Sequence, residues 1–203
     1  MEINVGKYLK ENTDYDKEKY DFQFPDITLD TDKIKTIMIN EVVPSDPEDD
    51  FYGKNELPYY HTTVFPLFQK AGVPVKTIDD ITSLGIYMTN AVKIPKDEYT
   101  IPKDYITASL PFLEIETELF PNVEVIMLMG DVARKALNMI SRKKTKAAAL
   151  PAVSTYKLRK NELWYGKIRL FPSYIMTGKN ILIEKSKFEM ASEDIKNMMN
   201  IIR

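Results

Sequence analysis

The chain contains no cysteine and a single histidine, His61. The first absence excludes disulfides, thiolate metal sites, iron–sulfur clusters and a cysteine nucleophile. The second excludes a multi-histidine metal centre. Long apolar runs are also missing, and none approaches the roughly 18 residues that a membrane-spanning helix needs. The N-terminal stretch is charged and lacks an apolar h-region, so the sequence predicts a cytoplasmic protein without a secretory signal. Internal repeats and low-complexity tracts are absent. The 203 residues are 44% apolar and 29% charged, an ordinary globular balance. They are enough for one domain over residues 1–203 with a full core.

Charge is nearly balanced overall but unevenly spread. Residues 1–130 carry 12 Lys and Arg against 24 Asp and Glu, and residues 131–203 carry 16 against 6. This asymmetry predicts a basic face built by the C-terminal third, suited to a polyanion such as nucleic acid. If folding mixes the two halves, no such patch survives.

The pattern of elements is alternating. Residues 1–30 are polar, acidic and rich in Tyr and Phe, and read as an N-terminal arm packed on the main domain. Lys35–Ile39 is a short β-branched strand. An acidic loop follows from Glu41 to Tyr60, then a helix from Thr62 or Thr63 to about Ala71 and a strand over Leu84–Asn90. A helical pattern over Ile106–Phe120 precedes a strand over Val123–Met129, and Gly130-Asp131 opens a helix to about Ile140. Tyr156–Tyr165 reads as an irregular hairpin. Lys167–Phe171 is the fourth strand, stopped by Pro172-Ser173, and a last helix runs over Ser192–Ile201 with Ser192 as its cap. Alternation of this kind predicts a three-layer α/β/α sandwich around a central four-stranded, mostly parallel sheet.

An open parallel sheet binds ligands at the carboxyl ends of its strands, which directs attention to four loops. The first supplies Glu41, Asp46, Glu48, Asp49 and Asp50, with Phe51 and Tyr52 behind them. The second supplies Asn90 and Lys93, the third Gly130 and the helix start after it, and the fourth Ser173, Tyr174, Ile175, Met176 and Lys179. Asn90 offers an acceptor and a donor side by side, a match for the edge of an imide or nucleobase. Carboxylate, carboxamide, aromatic ring, apolar wedge and nearby cations together suit a base flipped out of a nucleic-acid stack.

On these residues the chain resembles the uracil-DNA glycosylase superfamily, nearest the branch with a Gly-Glu-Ala-Pro-Gly first motif. Ile39–Ser45, followed by Glu48-Asp49, is similar to that motif and its acidic tail. Tyr87–Lys93 is similar to the family's strand ending in Thr-Asn-x-Val-Lys, and Met127–Leu137 to its strand-Gly-x-x-Ala helix start. Leu170–Tyr174 stands where the family has His-Pro-Ser. The resemblance spans about residues 34–176. It implies a DNA-repair enzyme that hydrolyses the N-glycosidic bond of uracil or another deaminated base, in single- or double-stranded DNA, as a monomer without metal or cofactor. Asn90 would read the uracil edge. Glu41, or Asp46 on another alignment, would position or activate the attacking water. Phe51 or Tyr52 would stack on the base, with Phe171 and Ser173 beside it. Ile175 or Met176 would be the wedge, and Lys93, Tyr174 and Lys179 would lie along the DNA.

The sequence departs from this pattern in three places. Phe171 occupies the position of a histidine that donates to the carbonyl gathering charge, and loss of one such donor typically costs ~10²–10³ in rate. Asn40 replaces the usual glycine and Pro44 falls one residue late. The four cluster-binding cysteines common in this branch are absent. Two alternatives therefore stand beside the hydrolase. One is a catalytically impaired nucleic-acid or base-binding module of the same fold. The other is a metal-dependent hydrolase using the Asp46–Asp50 loop, since hard cations take several oxygen ligands.

Overall fold

The computed structural model describes residues 1–96 and 98–202. In chain order the elements are β1 (Glu2–Asn4), α1 (Val5–Asn12), β2 (Thr28–Asp30), β3 (Thr36–Val42), α2 (His61–Lys70), α3 (Ile78–Ser83), β4 (Ile86–Val92), α4 (Lys103–Leu119), β5 (Val125–Met129), α5 (Asp131–Thr145), α6 (Thr155–Leu158), β6 (Leu163–Tyr165), β7 (Ile168–Ser173), α7 (Asn180–Ile183) and α8 (Lys185–Ile202). The central sheet has the order β4-β3-β5-β7-β6. The first four of these strands run parallel, and β6 closes the edge antiparallel to β7.

Five strands therefore replace the expected four. The extra one lies in the segment read as an irregular hairpin: Gly166, at φ +60°, turns Leu163–Tyr165 back onto β7. Pro172 does not stop β7 at Phe171. Its residue pairs in register with Leu128, and β6 has already ended on the opposite side, so no ladder bond is lost for want of an N–H. The last helix starts at Lys185 rather than Ser192, whose hydroxyl instead donates to Phe188 O within the helix (2.8 Å). The N-terminal arm is ordered by a β1–β2 pair and α1, capped by Asn4, whose side chain accepts from Lys7 N.

Strand alternation sorts the core into two layers. Ile37, Ile39, Tyr87, Ile126, Leu128 and Leu170 share one cluster with Phe112 and Leu113 of α4 and Ala136 and Leu137 of α5. Met38, Met88, Met127, Met129 and Phe171 share the other with Val64 and Phe68 of α2 and Ile195 and Met198 of α8. Both faces are covered, which is why the parallel strands read as almost continuous apolar runs. Among the described residues, no helix is long and apolar enough to cross a membrane.

Folding also mixes the two charge halves. Lys143 and Lys144, from the basic end of α5, reach across to Glu114 and Glu118 of acidic α4. That part of the basic run braces two helices together rather than forming a free patch.

Candidate functional site

The chain leaves β3 for β4 on one side and β5 for β7 on the other, so a crevice opens beyond the carboxyl ends of β3 and β5,. A cavity of about 600 Å³ lies there, within the range of small-molecule sites. Glu41 contributes its carboxylate, and Tyr156, Tyr174 and Ile175 supply aromatic and apolar surface, while Arg134 and Lys187 line the wall in ion pairs with Asp131 and Glu184. Glu41 Oε1 accepts from Val132 N in the first turn of α5 (3.0 Å), where the helix dipole favours negative charge. Burial nonetheless raises the Glu41 pKa above its ordinary value, against the pull of the Val132 N–H. Gly130 allows this approach. It has φ +107°, and a Cβ there would stand 2.4 Å from Glu41 Oε1 and 2.7 Å from Ile175 Cγ1.

Asn90 belongs to a different centre. The parallel register sets Asn40 beside Asn90, and their carboxamides meet: Asn40 Nδ2 donates to Asn90 Oδ1 (2.8 Å). Asn90 Nδ2 donates in turn to both oxygens of Asp50 (2.9 and 3.0 Å). Thr177 Oγ1 completes the chain by donating to Asn40 Oδ1 (2.9 Å). The line Thr177–Asn40–Asn90–Asp50 thus ties the segment after β7 to β3, β4 and the acidic loop. Burial raises the Asp50 pKa, and the Asn90 hydrogen bond opposes that rise. The space beside Asn90 measures about 10 Å³ and is walled by Gln23 and Pro25 of the arm. That is room for about one water. Gln23 Oε1 is buried there without a hydrogen-bond partner.

The other expected site residues divide among these centres and the core. Asp46 is exposed and caps a 3-10 turn, accepting from Glu48 N (3.0 Å). Phe51 is fully buried against Tyr60, with ring centroids 5.1 Å apart, so it offers no face to a base. Tyr52 accepts from Met88 N (2.9 Å) and lies parallel to Tyr87 at 6.1 Å. It satisfies the outer edge of β4, where a strand would otherwise present an unpaired donor. Phe171 is buried beneath the Arg169 guanidinium, 5.2 Å from the ring centroid. Ser173 is buried and donates to Asp194 Oδ2 (2.7 Å), which Arg159 also pairs, so it locks β7 to α8. Met176 is core, whereas Ile175 is 45% exposed at the crevice. Lys179 is exposed, 6.0 Å from the Tyr59 ring centroid.

Lys93 requires a correction. It is 1% exposed and donates to both Glu116 oxygens (2.9 and 2.8 Å), to Thr89 Oγ1 (2.6 Å) and to Asn90 O (2.8 Å). A buried and fully engaged ammonium has no reach to a phosphate. His61 is likewise occupied: Nε2 donates to Phe51 O (2.7 Å), and burial lowers its pKa.

The acidic loop holds itself together. Glu48 Oε2 accepts from Lys54 N (2.7 Å), and Asp49 Oδ1 accepts from Asn55 Nδ2 (3.0 Å) and Tyr59 N (3.1 Å). Among the described residues, no group of three or more His, Cys, Asp or Glu is placed to hold a metal ion. Sequence reasoning placed Asp50 in the loop but did not single it out, and it missed Asn40 as a partner of Asn90 and Thr177 as a partner of Asn40. The signal was available for Asp50, since a carboxamide at a buried strand end needs an acceptor and this loop leaves the neighbouring strand. Compared with protein-family models and with curated proteins, the chain matches none.

Proposed function

We propose that the chain is a nucleic-acid-binding module on a uracil-DNA glycosylase-like plan, with base hydrolysis impaired. The observation that carries this reading is the commitment of Asn90. Both ends of its amide are used internally, and the adjoining space holds about one water,. A uracil edge would have to displace both Asn40 and Asp50. The open crevice supports binding instead, because it sets the Tyr156 and Tyr174 rings at the switch point of the sheet, beside cations of which Arg134 is paired by Asp131 and Lys187 by Glu184,. Phe171 adds to the impairment by offering no donor.

Hydrolysis of the N-glycosidic bond of uracil is the second reading. Glu41 favours it: a half-buried carboxylate with a raised pKa in a cleft is the kind of group that positions or activates water,. The loop-metal hydrolase has no comparable support, because its carboxylates serve as hydrogen-bond acceptors within the loop and to Asn90.

One experiment separates these readings. The protein is incubated with uracil-containing single- and double-stranded DNA, abasic sites are cleaved with alkali, and binding is measured in parallel at two salt concentrations. The binding module predicts no cleavage, salt-sensitive binding, and weaker binding on Tyr174→Ala. Cleavage that disappears in Asn90→Ala and rises in Phe171→His would establish the hydrolase. No binding at either salt concentration would sink the nucleic-acid reading altogether.

A further inference from the structure

The strongest unassigned surface lies over Tyr156–Arg169, beside the crevice. This stretch carries Lys157, Arg159, Lys160, Lys167 and Arg169 against one carboxylate, Glu162. Arg159 is used internally by Glu193 and Asp194. Among the described residues, none of Lys157, Lys160, Lys167 or Arg169 is in an ion pair, and the three lysines are exposed. In this respect they differ from Lys143 and Lys144, which α4 neutralises.

Two aromatic rings stand among these cations. Tyr156 is 58% exposed and Trp164 is 54% exposed, large areas for residues of this size in a surface without a partner,. Each has a cation over it: Lys160 Nζ is 5.7 Å from the Tyr156 centroid, and the Arg169 guanidinium is 5.6 Å from that of Trp164. Register fixes the second pair, because Trp164 on β6 lies opposite Arg169 on β7. Arg169 is held in turn by Leu163 O (3.2 Å) and by the Phe171 ring beneath it. The guanidinium covers one side of the indole, and more than half of the residue's surface stays open. Tyr156 also lines the crevice, so the basic, aromatic stretch begins at the crevice wall.

We infer that Tyr156–Arg169 is a binding surface for single-stranded nucleic acid, with Tyr156 and Trp164 stacking on unpaired bases and Lys157, Lys160, Lys167 and Arg169 facing the phosphates. Exposed rings interleaved with unpaired cations are the pattern that holds single strands without reading their sequence. A duplex keeps its bases stacked and offers such rings only phosphate. This inference rests on the nucleic-acid reading of the crevice for the route of the strand, but not for the chemistry of the surface.

Trp164 is the only tryptophan, so its fluorescence reports on this surface alone. The full chain is titrated with an oligothymidylate and with a matched duplex at two salt concentrations, and affinity is read in every variant from the anisotropy of a dye on the oligonucleotide. The expected result is quenching by the single strand and a loss of about 10-fold or more in its affinity on Trp164→Ala, with Trp164→Phe largely restoring it. Lys157→Glu, Lys160→Glu and Lys167→Glu together should lower the slope of log affinity against log salt by about 2. Single-strand binding without quenching, unchanged by Trp164→Ala, overturns the inference. If that binding still weakens on Tyr174→Ala, the crevice reading survives without it. Conversely, quenching and Trp164 dependence with no effect of Tyr174→Ala uphold this surface and remove the crevice from the path. Stronger binding of the duplex, without quenching, also overturns the inference.

Discussion

Removing the ammonium of Lys93 should damage folding far more than nucleic-acid binding. Lys93 and Glu116 are 1% and 0% exposed and sit 2.8 Å apart. Tyr87 Oη and Thr89 Oγ1 also donate to Glu116 Oε1, at 2.6 and 2.7 Å. Lys93→Met keeps much of the stem volume but leaves the Glu116 carboxylate buried with only two neutral donors. Breaking a buried pair from one side costs ~3–5 kcal/mol, because the remaining charge is uncompensated. For a chain of this size each kcal/mol moves the melting temperature by roughly 2–4 °C, so the midpoint should fall by about 6–20 °C. Lys93→Met with Glu116→Leu removes both charges and should recover most of that loss, since a buried pair replaced by apolar groups is often neutral or better. The recovery will be incomplete to the extent that Tyr87 and Thr89 lose their shared acceptor, about 1–3 kcal/mol for groups left unsatisfied. Urea melts of the wild type, both single variants and the double variant form the cycle. A Lys93→Met loss below about 1 kcal/mol, or a double variant no better than the additive sum, would refute the assignment. So would a specific loss of DNA affinity in a variant that melts like the wild type.

Two further substitutions test the crevice. Gly130→Ala places a methyl group at φ +107° and ψ 176°, 2.4 Å from Glu41 Oε1; that essentially glycine-only backbone conformation alone costs roughly 1–3 kcal/mol, and the contact adds to it. Thermal melting should show a larger loss in Gly130→Ala than in Gly130→Ala with Glu41→Ala relative to Glu41→Ala alone, and equal losses would mean that the carboxylate is not what the methyl group meets. Glu41→Gln tests the half-buried carboxylate through pH. Its folded pKa is raised above the ordinary 4.5, so its favourable contribution is complete below the unfolded value and is lost as pH rises through the folded value. The glutamine variant cannot ionise, so its stability relative to wild type should be lowest near pH 4 and should increase toward pH 7; a difference that stays flat or falls contradicts the direction of the shift.

Much of the fold was legible because its strands announce themselves by composition. Thr36–Val42, Ile86–Val92 and Val125–Met129 are short, apolar and bounded by breakers, and the helices between them follow the parallel-sheet pattern,. β6 escaped because three residues ending at Gly166 carry no periodicity to read, and because pairing with β7 is a tertiary fact. The start of α8 escaped because Lys185–Met190 is mostly polar on its exposed side and Ser192 offered a more conspicuous cap. For the site, strand ends were a sound guide to position but not to orientation. Lys93 follows a strand end, as expected, yet its chain folds back to a carboxylate on α4, a residue 23 positions away. No local signal distinguishes that course from one toward solvent.

The alternation of β3 carries the largest consequence for function. Asn40 and Glu41 are consecutive, so their side chains leave opposite faces of the strand. Asn40 turns to Asn90 and Thr177, whereas Glu41 turns to the start of α5 and the crevice. The Asn90 amide and the half-buried Glu41 carboxylate, expected to share one pocket, therefore belong to separate centres. One is closed by its own hydrogen bonds and by the arm, and the other is open. A ligand in the crevice meets Glu41, Tyr174 and Ile175 without touching the Asn90 amide, which is already satisfied. Base reading at Asn90 would require the Asn40 and Asp50 bonds to break and the Gln23–Pro25 wall to move, at the cost of leaving polar groups unpaired unless the ligand replaced each of them. Binding in the crevice needs neither change, which is the reason for proposing a binding role rather than base removal.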